Sequence, residues 1–167
     1  MKTTVVRWVL PTLFLLVLPF NCNANNALMA FLNRSFDEVP KPKRLWVNKE
    51  KQSYIKKLFN PSQIKLSYRY WQKDNKTVWV LDEIGKERNI TTGIIVENDK
   101  IKSVEIIKYR ESRGGQVQSK RFTNQYQNKT MKSKFSKEID SISGATLSVN
   151  AINKQVALAL YLNTLRQ

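Results

Sequence analysis

The chain changes its hydrophobic period twice. Leu28, Phe31, Leu32 and Phe36 recur at helical spacing and predict a short amphipathic helix covering a core. Within residues 49–59, Tyr54, Ile55 and Leu58 share one side of a second helix. Asn48 stands at its N-cap position and Asn60-Pro61 forms its stop. Between the two, Pro40 and Pro42 among Lys41, Lys43 and Arg44 predict a solvated connection. From Ile64 the period becomes two: Ile64, Leu66, Tyr68 and Tyr70 alternate with Lys65, Ser67, Arg69 and Trp71. A second strand spans residues 77–84 after the turn Asp74-Asn75-Lys76. Beyond Gly85-Lys86-Glu87, residues 92–97 and 101–109 form a hairpin about Asn98-Asp99.

Short turns between consecutive strands make this an antiparallel meander of about four strands. Tyr68, Tyr70, Trp71 and Trp79 either fill its inner face or form a stacking surface. The weight of aromatics in core energetics favours filling. The period then returns to helical. Phe122 and Tyr126 mark one or two turns over residues 121–127, and the lysine-rich residues 128–137 read as an exposed loop. Ile152, Val156, Ala159 and Leu160 give residues 147–165 the apolar stripe of a long last helix. The fold class is therefore α+β. A meander packs with an amphipathic C-terminal helix over residues 63–167, preceded by an N-terminal helical segment at 25–62.

Composition changes the picture at the N-terminus. Lys2 and Arg7 precede an apolar run from Val9 to Phe20, and Cys22-Asn23-Ala24 offers small residues at a cut after Ala24. The run is short for a spanning helix and carries Pro11 and Pro19. The expectation is a cleaved signal peptide over 1–24 and export to the periplasm or the outer face of the cytoplasmic membrane, an uncleaved anchor being the alternative. The chain holds 29 Lys+Arg against 13 Asp+Glu, a net +16. Losing Lys2 and Arg7 leaves +14. Cleavage also removes the one cysteine, and there is no histidine. No metal site built on thiolate or imidazole is then expected, nor Cys–His or Ser–His–Asp catalysis. Redox work would need an organic cofactor.

One stretch carries chemistry. Ser143-Gly144-Ala145-Thr146 leaves backbone uncovered just before the last helix, and a helix start presents unpaired N–H groups and partial positive charge. An anionic oxygen cluster on Thr146 would sit in that field. The plainer alternative is that Ser143 or Ser148 caps the helix.

Asp140-x-x-Ser143-Gly144-Ala145-Thr146 resembles the signature of the FMN-binding domain whose flavin is joined through its phosphate to the final hydroxyl. That domain occurs in subunits of sodium-translocating NADH:quinone reductase and Rnf-type complexes and in small exported flavoproteins. Tyr109-Arg110-Glu111-Ser112-Arg113-Gly114 resembles the family's loop beside the flavin, and Phe122-Thr123-Asn124-Gln125-Tyr126 its Phe-x-x-Gln-Phe segment. Ser112-Arg113-Gly114 departs from the Thr-Pro-Gly usual in the large complexes, and the long insertions of those members are missing. Both departures point to a small free-standing carrier.

The resemblance implies one covalent FMN per chain on Thr146. Tyr109, Glu111, Ser112, Ser143, Gly144, Ala145, Leu147 and Ser148 would lie at the cofactor. A separate flavin transferase would read Asp140, Ser143, Gly144, Ala145 and Thr146, with FAD as donor and AMP leaving. The implied function is an exported electron carrier between a membrane or periplasmic donor and an acceptor, with acidic redox partners steered by the positive charge. No catalytic residue of its own, no metal and no nucleic-acid partner are expected. The rivals are a basic exported binding module for an acidic partner or anionic surface, and a stand-alone flavin oxidoreductase with a small substrate.

Overall fold

The computed structural model describes residues 23–166. Cys22 and all but the last two residues of the expected signal peptide lie outside them. Helix α1 (Asn23–Ser35) leads to strand β1 (Lys43–Trp46) and helix α2 (Lys49–Phe59). Strands β2 (Ser67–Lys73), β3 (Lys76–Ile84), β4 (Asn89–Glu97) and β5 (Lys100–Lys108) follow. Short turns lead on through α3 (Lys120–Thr123) and α4 (Phe135–Glu138) to the long helix α5 (Thr146–Thr164). The sheet runs β1-β2-β3-β4-β5, every neighbour antiparallel, so the meander is real and has five strands.

The fifth strand is β1, in the stretch expected to be a solvated connection. Its residues are mostly exposed, and only backbone pairing to β2 defines it. Charged, short edge strands protect a sheet from further pairing, which is why no hydrophobic alternation marks this one. β2 begins at Ser67 rather than Ile64, and Leu66 stays 67% exposed.

The sheet has two buried faces. Tyr68, Tyr70, Trp79, Leu81, Ile94, Val96 and Val104 pack under α5, whose Val149, Ile152, Val156, Ala159 and Leu160 are buried. Tyr70 stacks on Trp79 with ring centres 4.7 Å apart. The opposite face carries Trp71, Val78 and Ile95, sealed by Phe31, Leu32 and Phe36 at and just beyond the end of α1. Tyr68, Tyr70, Trp71 and Trp79 thus all fill the core, on two sides of the sheet rather than one. α2 keeps its expected caps: Asn48 Oδ1 accepts from the Lys51 amide at 2.9 Å, and Asn60 turns left-handed at φ 39°. Only Ile55 of its apolar trio is buried, while Tyr54 and Leu58 remain about half exposed.

Residues 128–137 are more than an exposed loop. The Asn128 amide donates to the Ile101 carbonyl at 2.8 Å and the Ile101 amide to Lys129 at 2.9 Å, extending the free edge of β5. Phe135 is buried against Tyr126. Among the described residues, no helix is long and apolar enough to cross a membrane.

Candidate functional site

Three segments meet at one end of the sheet: the β3–β4 turn, the loop leaving β5, and the start of α5. Between them lies a cleft of about 560 Å³ lined by Lys86, Glu87, Glu111–Arg113 and Gly144–Ser148. That volume suits a cofactor-sized ligand.

α5 begins without a side-chain cap. Its N-cap residue is Ala145, Thr146 is the first helical residue, and no acidic side chain stands in the first turn. The plainer alternative, capping by Ser143 or Ser148, does not occur. Ser143 is exposed, and the buried Ser148 turns its hydroxyl to Tyr109, 3.0 Å away. The Tyr109 hydroxyl already donates to the Arg113 carbonyl at 2.5 Å, so Ser148 is the donor in that pair. Tyr109 therefore ties the β5 exit loop to the first turn of α5. Gly114, at φ 80°, lets the loop close on the helix, because an added Cβ would come within 2.9 Å of both Ala145 Cβ and Tyr109 Oη.

Thr146 is exposed on the cleft and Leu147 beside it is 51% exposed, an apolar surface next to a hydroxyl. Gly144, at φ 76°, has nothing within 4 Å of the place where a Cβ would stand. Backbone approach from the cleft is open there.

Glu111 faces the turn. Its Oε1 accepts the amides of Lys86 at 2.6 Å, Glu87 at 2.9 Å and Arg88 at 3.0 Å. Partial burial works to raise this carboxyl, but the three amides and the Lys86 charge outweigh it and hold the pKa below the ordinary carboxylate value.

The structure thus brings together Glu111, Ser112, Gly144, Ala145, Thr146, Leu147 and Ser148, with Tyr109 as the tie behind them. Ser143 and Asp140 do not line the cleft. The Asp140 amide instead donates to Gln125 Oε1 at 2.9 Å, so the helical turns at 120–126 hold the approach to the motif. Phe122 and Tyr126 anchor those turns in the core, edge to face at 5.7 Å. Lys86, Glu87 and Arg113 are wall residues missing from the expected cofactor set. Lys86 and Glu87 read in sequence as a plain turn, and only their distant contact with Glu111 places them here.

The side chains and backbone present fit a flavin phosphate with its ring system: an uncapped helix start, Lys86 and Arg113 on the walls, and exposed Leu147. Residues 85–161 match the family model of the FMN-binding domain, from the β3–β4 turn through most of α5. No curated protein matches the chain. The matched stretch contains all three segments of the cleft, and the chain carries a domain of the FMN-binding family, which makes it a flavin-binding protein.

Proposed function

We propose that Thr146 carries FMN through a phosphoester and that the protein is an exported electron carrier. What supports this most is the place of Thr146: it ends the Asp140-to-Thr146 motif, opens α5 and is exposed on the cleft. Attachment would join Thr146 Oγ to the FMN phosphorus of FAD as the bond to AMP breaks, the hydroxyl proton leaving with AMP or solvent. A separate flavin transferase would perform this step. It would read Asp140 and Ser143, both exposed and free of the cleft wall, together with Gly144, Ala145 and Thr146. FMN, once bound, supplies one- and two-electron transfer.

The chain's own residues do the rest. The unpaired amides of the first α5 turn would face the phosphate, with Lys86 and Arg113 on the walls alongside the carboxylates Glu87 and Glu111. Leu147 offers apolar contact and helps exclude water. Tyr109 and Ser148 hold the helix start against the β5 exit loop. With no histidine in the chain, and with Glu111 committed to the turn amides, transfer to and from other proteins suits the site better than turnover of a small substrate. A strongly positive chain would steer acidic redox partners.

The test is co-expression with a flavin transferase. The wild-type chain should keep its yellow colour through acid precipitation and gain the mass of FMN less one water, and Thr146→Ala should lose both. A wild-type chain left colourless under those conditions would sink the covalent reading.

A further inference from the structure

We propose that Glu111 is a positioning residue: a carboxylate built into the β3–β4 turn as its internal anion, which fixes the Lys86-bearing wall of the cleft. Three consecutive amides converging on one oxygen form an anion nest. Here the chain fills that nest itself, from 23 to 25 residues downstream. The turn has one further closing bond, from the Gly85 amide to the Arg88 carbonyl at 3.0 Å. Without the carboxylate, three donors would turn to solvent and the turn would lose its tie to the β5 exit loop. Lys86 would then be free to leave the cleft wall.

With its Oε1 committed to the three amides, Glu111 acts on a bound flavin through the turn it closes. The inference rests on FMN occupying the cleft. It is separable from attachment because the clamp exists in the protein without cofactor.

Gly85 supplies a variant that leaves Glu111 in place. A Cβ there would stand 2.7 Å from Glu111 Oε1 and 3.0 Å from Ile90 Cδ1. Gly85→Ala therefore unseats the carboxylate while keeping its charge. Glu111→Ala empties the nest, and Glu111→Gln keeps the shape without the charge.

Amide hydrogen exchange on the chain without flavin is the first measurement. Exchange at residues 86–88 should quicken by about tenfold or more in Glu111→Ala and Gly85→Ala, and by less in Glu111→Gln. Sodium formate should restore protection in Glu111→Ala but not in Gly85→Ala, whose nest is sterically blocked. Sodium chloride at equal ionic strength should restore neither. The second measurement is visible circular dichroism of the flavin-loaded proteins, which reads the ring's surroundings. Glu111→Ala and Gly85→Ala should change it in the same sense, and formate should reverse only the former.

Unchanged exchange in both variants would refute the clamp. Faster exchange with an unchanged flavin spectrum would reduce Glu111 to a fold residue and overturn the positioning role. A spectral change in Glu111→Ala without one in Gly85→Ala would mean direct contact with the ligand and would also overturn it. A wild-type chain that binds no FMN would remove its premise before any variant is read.

Discussion

Gly114 and Gly144 share a left-handed backbone, at φ 80° and 76°, and differ in what surrounds them. Alanine at either position pays the left-handed strain of a Cβ, about 1 kcal/mol net once the stiffer unfolded chain is counted. At Gly144 that is the whole cost, because the new Cβ meets nothing within 4 Å. At Gly114 the Cβ lands 2.9 Å from Ala145 Cβ, 2.9 Å from Tyr109 Oη and 3.3 Å from the Ala145 backbone. Ala145 is buried in the core, so the helix start cannot retreat without opening the packing under it. Overpacking of this kind adds about 1–3 kcal/mol.

Gly114→Ala should therefore cost about 2–4 kcal/mol and Gly144→Ala about 1 kcal/mol. At about 3 °C per kcal/mol for a domain of this size, the melting temperatures should fall by roughly 6–12 °C and 3 °C respectively. Urea titrations with matched m-values would give the same order. FMN loading should rank the other way when corrected for folded protein. Gly144→Ala places a methyl close to Thr146, the proposed attachment point, whereas Gly114→Ala acts through stability. A Gly144→Ala cost equal to or above that of Gly114→Ala would refute the steric assignment. The two positions would then differ in backbone strain, not in neighbours.

Two more outcomes follow from packing and charge. Phe31 is 2% exposed in the smaller cluster, so Phe31→Ala should cost about 3–5 kcal/mol. Amide exchange should show α1 opening ahead of the α5 side, whose cluster is far larger. Acid should loosen the Glu111 turn at the cleft and the Glu138 segment beside the start of β5 first. Glu111 is held low against its own partial burial by three amides and Lys86, and Glu138 is held low by Lys129 and the Lys134 amide. A carboxyl with a depressed folded pKa lends stability in full above its unfolded value, near pH 4.3, and loses it as pH falls through the folded value. Stability should thus be flat from pH 7 to about 5 and drop below about 4. In Glu111→Gln that drop should shrink, and an identical acid limb would speak against the assignment.

What the sequence made legible was local. α2 could be bounded to the residue because Asn48 and Asn60 do their capping within its own first and last turns. The hairpin at Asn98-Asp99 was equally plain, both residues sitting at positive φ as a tight antiparallel turn requires. β1 was not legible, since four mostly exposed residues with two cations carry no alternation and exist as a strand only through β2. The division of the aromatics was hidden too. Trp71 lies next to Tyr70 in sequence but on the opposite face, and only α1 makes that face a core. At the site, the Asp140-to-Thr146 motif was visible because glycine and small residues mark exposed backbone. The contribution of Lys86, Glu87 and Arg88 was not, because it is made by amide groups that every residue has. Gln125 joined the motif by the same route, its side chain meeting the Asp140 amide across 15 residues.

Two amide clusters surround one cleft, and the chain treats them oppositely. At residues 86–88 it seats a carboxylate of its own in the nest. At the start of α5 it leaves the amides without a side-chain partner, with alanine where serine, threonine or aspartate would add about 1 kcal/mol. Packing gives part of the reason. Ala145 is 3% exposed, and the close approach of Gly114 leaves no room for a larger neighbour. An open amide cluster beside an exposed threonine, facing a nest already closed, leaves one place in the cleft for an external anion. A phosphate esterified to Thr146 would supply the missing cap, so that loading should stabilise α5 from its first turn, where the free chain forgoes that support.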